Sequence, residues 1–191
     1  MDRALVNLRL AELTDQLAAR TPAPGGGTAI AVTCALAAGL VEMAAAFSPA
    51  AEAGAVMARA GELRAQALAL AEQELDSYRP VLEALQIPKS EPSRADALTA
   101  ARSSASEPPF KLAETGAELA ELAADAARAG SPHLAGDAIA ATLLAEGACR
   151  AATQLVAINL ADADNDPRPR QAGQLARRAA AARDRALANG F

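Results

Sequence analysis

Apolar and polar positions alternate along the chain with helical periods and with few strand-like runs. Leu5, Leu8, Leu13 and Leu17 share one helical face and predict a first helix over residues 5–20. Thr21-Pro22-Ala23-Pro24-Gly25-Gly26-Gly27 cannot continue it, because proline fixes the backbone and glycine loosens it. A second helix follows from Thr28, as its cap, to about Phe47. It is apolar nearly all round except for Glu42, the pattern of a helix buried on most sides. A long third helix runs from about Ala50 to Gln86, with a kink expected at Pro80.

Ile87 to Pro92 is a loop, and Ser93 with Asp96 three residues on resembles a capping arrangement that opens a helix to Ala105. Glu107-Pro108-Pro109 interrupts, and another helix runs to Gly130, a natural stop. Ser131-Pro132 reads as an N-cap and first-turn proline for a helix from His133 to about Asp162. An arginine-rich helix, about Gln171 to Asn189, closes the chain, within a C-terminal segment spanning residues 166–191. No internal repeat and no dividing linker stands out, so residues 1–191 are expected to form one all-α domain, a mostly antiparallel helical bundle.

Composition strengthens this reading. Apolar residues make up 52% of the 191, yet aromatics only 2%, so small side chains, chiefly alanine, carry the core. Alanine favours helix and disfavours strand. Small faces let helices approach closely, and so much apolar helix surface in one short chain leads us to expect a homodimer. The net charge of −5 argues against a nucleic-acid partner. One His and two Cys, without metal-ligand spacing, give no expectation of a metal site. Cys34 and Cys149 sit in apolar helical stretches and are expected to be buried, reduced thiols. The longest uncharged apolar stretch, the 13 residues Ala29 to Val41, is short for a membrane span, and Met1-Asp2-Arg3-Ala4 does not begin a signal peptide. A cytoplasmic protein without a membrane partner is the expectation.

Three places could carry chemistry. Gly25, Gly26, Gly27 and Thr28, opening a helix, can offer free N–H groups and a positive dipole end to an anionic or carbonyl-bearing ligand, or can be simply a tight turn. The run lacks the lysine of a Walker loop. Asp137 follows Ser131 and His133 at the start of an otherwise apolar helix; it is either a dipole partner or a general base and counter-charge. Glu74 and Tyr78, four apart, share a helical face and could line a cleft, although such acidic runs are more often solvated. Glu146 and Arg150 look like an ordinary helix pair.

Together these pieces resemble a known family. Thr-Pro-Ala-Pro-Gly-Gly-Gly-Thr opening an Ala-rich helix is similar to the signature of the formiminotransferase-cyclodeaminase C-terminal domain family, which contains formiminotetrahydrofolate cyclodeaminase and methenyltetrahydrofolate cyclohydrolase. Glu74-x-x-x-Tyr78 running to Ile87-Pro88-Lys89, then Glu107-Pro108-Pro109, and Gly130 to Leu160 resemble further family stretches in the same order, with Asp137 and Asn159 on the family's Asp and final Asn. The resemblance covers roughly residues 5 to 165. It departs at Ser131 and His133, where the family has Asn, at Gly136 for Ser or Thr, at Leu155 for Asn, and at Glu74 for Asp.

The resemblance implies a dimeric helical bundle binding tetrahydrofolate derivatives, with no cofactor beyond that substrate. Asp137 and Glu74 are then the carboxylates implied for proton transfer. Gly25, Gly26, Gly27, Thr28, Tyr78, Ser131 and His133 are the implied substrate contacts. The departures leave open a catalytically degenerate folate-binding or structural module.

Overall fold

The computed structural model describes residues 4–188. Eight α-helices are found among them and no strand: α1 (Leu10–Ala18), α2 (Gly26–Ala46), α3 (Ala53–Ser77), α4 (Arg79–Gln86), α5 (Ser93–Ala105), α6 (Glu107–Ala129), α7 (Ala135–Asn159) and α8 (Arg168–Ala188). Short 3-10 turns at Leu5–Asn7 and Pro132–Leu134 precede α1 and α7.

The bundle consists of α2, α3, α6, α7 and α8, alternating in direction. The N-terminus of α2 faces the C-terminal ends of α3 and α7, and Arg168, opening α8, donates to Ser103 O at 2.9 Å beside the start of α6. α4 and α5 form a hairpin at that end around Val81, Ala84, Ala101 and Ala105.

Alanine dominates the core, as the composition requires. Ala31, Cys34, Ala38, Ala117, Ala120, Ala145, Cys149 and Ala152 are all inaccessible, with Leu63, Leu112 and Leu119 as the larger fillers. A close approach between core helices occurs at Gly116 in α6, where a Cβ would lie 3.0 Å from Ala145 O and from Cys149 N and Cβ in α7. There the Cys149 thiol donates to Ala113 O at 3.3 Å. Helices this close interlock through backbone shape, and any larger side chain at Gly116 overpacks them.

Several sequence expectations change in detail. The first helix divides: Leu8 and Arg9 are extended, and Arg9 N donates to Glu12 Oε2 at 2.8 Å to open α1. Pro80 does more than kink the third helix. The chain breaks at Tyr78, and Pro80 sits in the first turn of α4, where its missing N–H costs nothing. Thr28, Ser93 and Ser131 make no side-chain cap. Their places are taken by Gly25 before α2, Pro92 before α5, and the turn Pro132–Leu134 before α7. Asn189 lies outside the described residues. Helix α2, continuing through Glu42 to 21 residues, is long and apolar enough to cross a membrane by length and composition, with 44% of its most apolar window buried in the bundle.

Helix α8 is pinned by ion pairs. Arg178 forms a two-pronged contact with Glu121 of α6, at 3.0 and 2.8 Å. Glu146, expected as an ordinary helix pair with Arg150, has that partner at 3.7 Å, but is 5% exposed and also receives Arg183 Nη1 at 3.1 Å. A carboxylate so enclosed needs that partner.

Both cysteines are free and buried. Loss of solvent is the leading cause that lifts both thiols to about 12. Thiolate is the reactive form, so each is expected to react with a thiol reagent only as fast as the bundle opens; labelling in native buffer at the rate of free cysteine, followed by mass spectrometry, would contradict this.

Candidate functional site

The N-terminus of α2 opens on glycine. Its cap, Gly25, makes no side-chain hydrogen bond, and the first-turn residues are Gly26, Gly27 and Thr28. The first-turn N–H groups of a helix have no partner within it and carry the positive dipole end. Pro22 and Ala23 bring the chain into this turn, so the N-terminus opens into a recess rather than against a packed loop.

That recess is a cleft of about 200 Å³. Its walls are the Pro22–Thr28 turn, Glu74, Leu75 and Tyr78 at the end of α3, Ala105 at the end of α5, and Leu155 and Asn159 at the end of α7. Asn159 Nδ2 donates to Ala105 O at 3.3 Å, tying two walls together. Ser77 Oγ donates to Glu74 O at 3.0 Å and secures the last turn of α3.

Two polar atoms in these walls are buried with no partner: Thr28 Oγ1 and Glu74 Oε2. Thr28 is wholly inaccessible, and no Lys, Arg or His lines the cleft. A buried carboxyl with neither a cation nor a donor is costly when charged. Burial accordingly lifts Glu74 from the ordinary 4.5 to about 7, so near neutrality it is poised both to hold and to release a proton.

Sequence reasoning named Gly25, Gly26, Gly27, Thr28, Glu74 and Tyr78, and the fold brings all six into this cleft. It also named Asp137, Ser131 and His133, and these lie elsewhere. Asp137 is in the first turn of α7, whereas Leu155 and Asn159 are near its last. Eighteen residues at about 1.5 Å each separate Asp137 from the cleft by about 27 Å along the helix. Ser131 and His133 precede α7 at that far end, His133 exposed. Within one chain the carboxylates Asp137 and Glu74 do not meet.

Leu155 and Asn159 entered the sequence reading only through the family resemblance, as a departure from its Asn and as its final Asn, and Ala105 was not picked out at all. An Asn closing an apolar helix was the available signal for Asn159, but its place beside α2 depends on how α7 packs. Among the described residues, no three His, Cys, Asp or Glu side chains converge as a metal site. A larger recess, about 290 Å³, lies between the end of α2 and the end of α6, lined by Ala45, Val56, Leu122, Ala126 and Gly130 among others. None of its side-chain polar atoms is both buried and unpartnered among the described residues, so it lacks what distinguishes the cleft.

Comparison with known proteins gives the family and the fold. The family model described as formiminotransferase-cyclodeaminase matches residues 9–177. The fold is similar to the crystal structure of formiminotetrahydrofolate cyclodeaminase from Thermotoga maritima, with a TM-score of 0.84 and 22% identity over 97% of this chain and 96% of that one. No curated protein matches by sequence.

The Glu74 proton also sets a pH dependence. The folded chain holds it more tightly than the unfolded chain, where the carboxyl titrates near 4.5. This contribution to stability is full below about pH 4.5, falls as pH rises toward 7, and stays lost above. In ligand-free protein, the decline in stability between about pH 5 and 8 is expected to be smaller in Glu74→Gln than in wild type, by up to about 3 kcal/mol. Parallel urea titrations of the two proteins across that range test it; superimposable pH profiles would refute the assignment.

Proposed function

The chain belongs to the formiminotransferase-cyclodeaminase family, and from that premise we propose that it is a folate one-carbon enzyme, a formiminotetrahydrofolate cyclodeaminase or a 5,10-methenyltetrahydrofolate cyclohydrolase. The observation that carries the proposal is Glu74, a carboxyl left without a partner at the mouth of α2 and lifted to about 7.

Both reactions fit such a group. In the first, the aniline nitrogen attacks the formimino carbon, loses its proton, and ammonia departs to leave the methenyl cation. In the second, water adds to that cationic carbon, loses its proton, and one ring C–N bond opens to the formyl product. Each passes through a tetrahedral carbon and needs a base for the incoming nucleophile and an acid for the departing nitrogen. Glu74 takes the first proton as carboxylate and returns one as carboxylic acid. The N–H groups at the start of α2, with Thr28 and Tyr78, supply donors for polar edges of the substrate. No metal or redox cofactor enters either scheme, and two free thiols fit a reducing cytoplasm.

The cleft of one subunit is small. Its 200 Å³ falls below the roughly 300–1,000 Å³ of sites that enclose a ligand of ordinary drug size. A second copy supplies the remainder in this proposal. Leu36 (59% exposed) on α2 and Phe47 (69%) at its C-cap, with Leu143 (42%) and Ile158 (66%) on α7, expose apolar surface on and beside two helices that pack against one another. Two-fold pairing of antiparallel α7 helices brings Asp137 of the partner subunit to the Glu74 end of the first, joining the two carboxylates that one chain keeps apart.

The methenyl chromophore reports turnover in both directions. Glu74→Gln is expected to lower kcat by about 10²- to 10⁴-fold with the fold intact. Unchanged turnover in this variant removes Glu74 from the mechanism. A wild type without turnover whose melting temperature rises with folate indicates the catalytically degenerate binding module instead.

Assembly has its own test. Asp137→Asn is expected to be inactive too, and mixing it with Glu74→Gln should restore about a quarter of wild-type activity, because half the dimers in a random mixture carry one intact site of two. A monomer in sedimentation, or a mixture no better than its parts, would contradict the shared site.

A further inference from the structure

The three glycines before and within the first turn of α2 face different surroundings. A methyl group on Gly26 would meet nothing within 4 Å, and one on Gly25 only Pro22 O, at an ordinary 3.9 Å. One on Gly27 would overlap the Glu74 side chain at its Cγ, Cδ and Oε1 together. None of the three has a positive φ, so backbone conformation does not demand glycine at any of them.

We propose that Gly27 is a positioning residue: its missing side chain is the niche that seats the Glu74 carboxyl against the first turn of α2, while Gly26 leaves the mouth of the cleft open to the ligand. The catalytic consequence rests on Glu74 as the acid–base group; the niche itself does not.

The local structure makes the two jobs separable. Glu74 leaves α3 one turn before its end, and the Ser77 bond to Glu74 O holds that backbone in place. A methyl group on Gly27 therefore displaces a flexible side chain and leaves the helix where it is. The groups facing Glu74 are Thr28 from α2, Ala105 from α5, Leu155 and Asn159 from α7, and Leu75 and Tyr78 from its own end of the bundle. Tyr78 is the one other titratable group among them, and no Lys, Arg, His or second carboxylate lines the cleft. Once displaced, Glu74 finds no cation in the cleft, moves toward water, and titrates as an ordinary carboxyl.

The experiment is a double-mutant cycle in the full chain: Gly27→Ala, Glu74→Ala and the pair, read first by melting temperature. Read at about pH 4, where the buried carboxyl is protonated, Gly27→Ala is expected to lower the melting temperature when Glu74 is present. In the Glu74→Ala background it should raise it, because alanine is the better helix residue and nothing remains to overlap. Kinetics supply the second reading. Gly27→Ala should lower kcat by about tenfold or more with KM nearly unchanged, and shift the acid limb of the kcat profile down by roughly one pH unit or more. Gly26→Ala should instead raise KM and leave that limb in place. The same melting-temperature change with and without Glu74 overturns the niche, and an unmoved acid limb in Gly27→Ala with the coupling intact overturns its catalytic consequence. Full turnover in Glu74→Gln with the coupling intact overturns the catalytic reading of Glu74 and leaves the niche standing.

Discussion

The structure depends on how closely α6 and α7 approach at Gly116. With Ala145 O and Cys149 as the opposing surface, the two helices have a single depth and rotation at which they fit. Every other bundle helix is placed against this pair: α2 and α8 contact both, and α3 packs on α2 and α6. Alanine contributes little area per residue, so hydrophobic burial alone specifies register weakly here. Shape does it instead, through a glycine facing a backbone carbonyl and a cysteine whose thiol is satisfied by Ala113 O.

The cleft is a product of that register. Its walls are the ends of four helices, and ends coincide in space only if lengths and offsets agree. α3 stops at Ser77 because the chain turns at Tyr78 into a proline-bearing helix. α7 stops at Asn159, whose amide bonds the end of α5. Arg168 holds α5 from the far side through Ser103 and is itself held by Asp166 at 2.6 Å. A site built from termini has the free N–H groups of α2, little covering side chain and a rigid frame, which suits a pocket that must keep a carboxyl out of water without pairing it.

Much of this was legible in the sequence. Helix periodicity, alanine content and Pro-Gly punctuation specify all the bundle helices, because each is a local property. The Gly25–Thr28 turn and the Glu74–Tyr78 face were equally visible, since both are short-range patterns. Asp137, by contrast, occupies the end of α7 that points away from the cleft. Sequence order gives no sign of whether a helix presents its first or its last turn to a given neighbour; that follows from alternation within the bundle. Thr28 was misjudged for a related reason. A threonine after three glycines looks like a cap, but Gly25 already fills that position, which leaves the hydroxyl buried and unpaired.

The alanine core also bears on how such a protein changes over time. A contact between two small side chains constrains spacing and says little about identity. Away from the contact at Gly116, alanine, serine and cysteine can exchange across it with small changes in volume, provided nothing larger enters. The fold can therefore drift widely in sequence while its helix axes stay put, in keeping with 22% identity beside a TM-score of 0.84. Such drift is cheap in the core and expensive at a place like Gly27, where one methyl group meets the single carboxyl in the cleft. In a chain built on this architecture, glycines such as Gly27 and Gly116 are then the positions with the least room to grow.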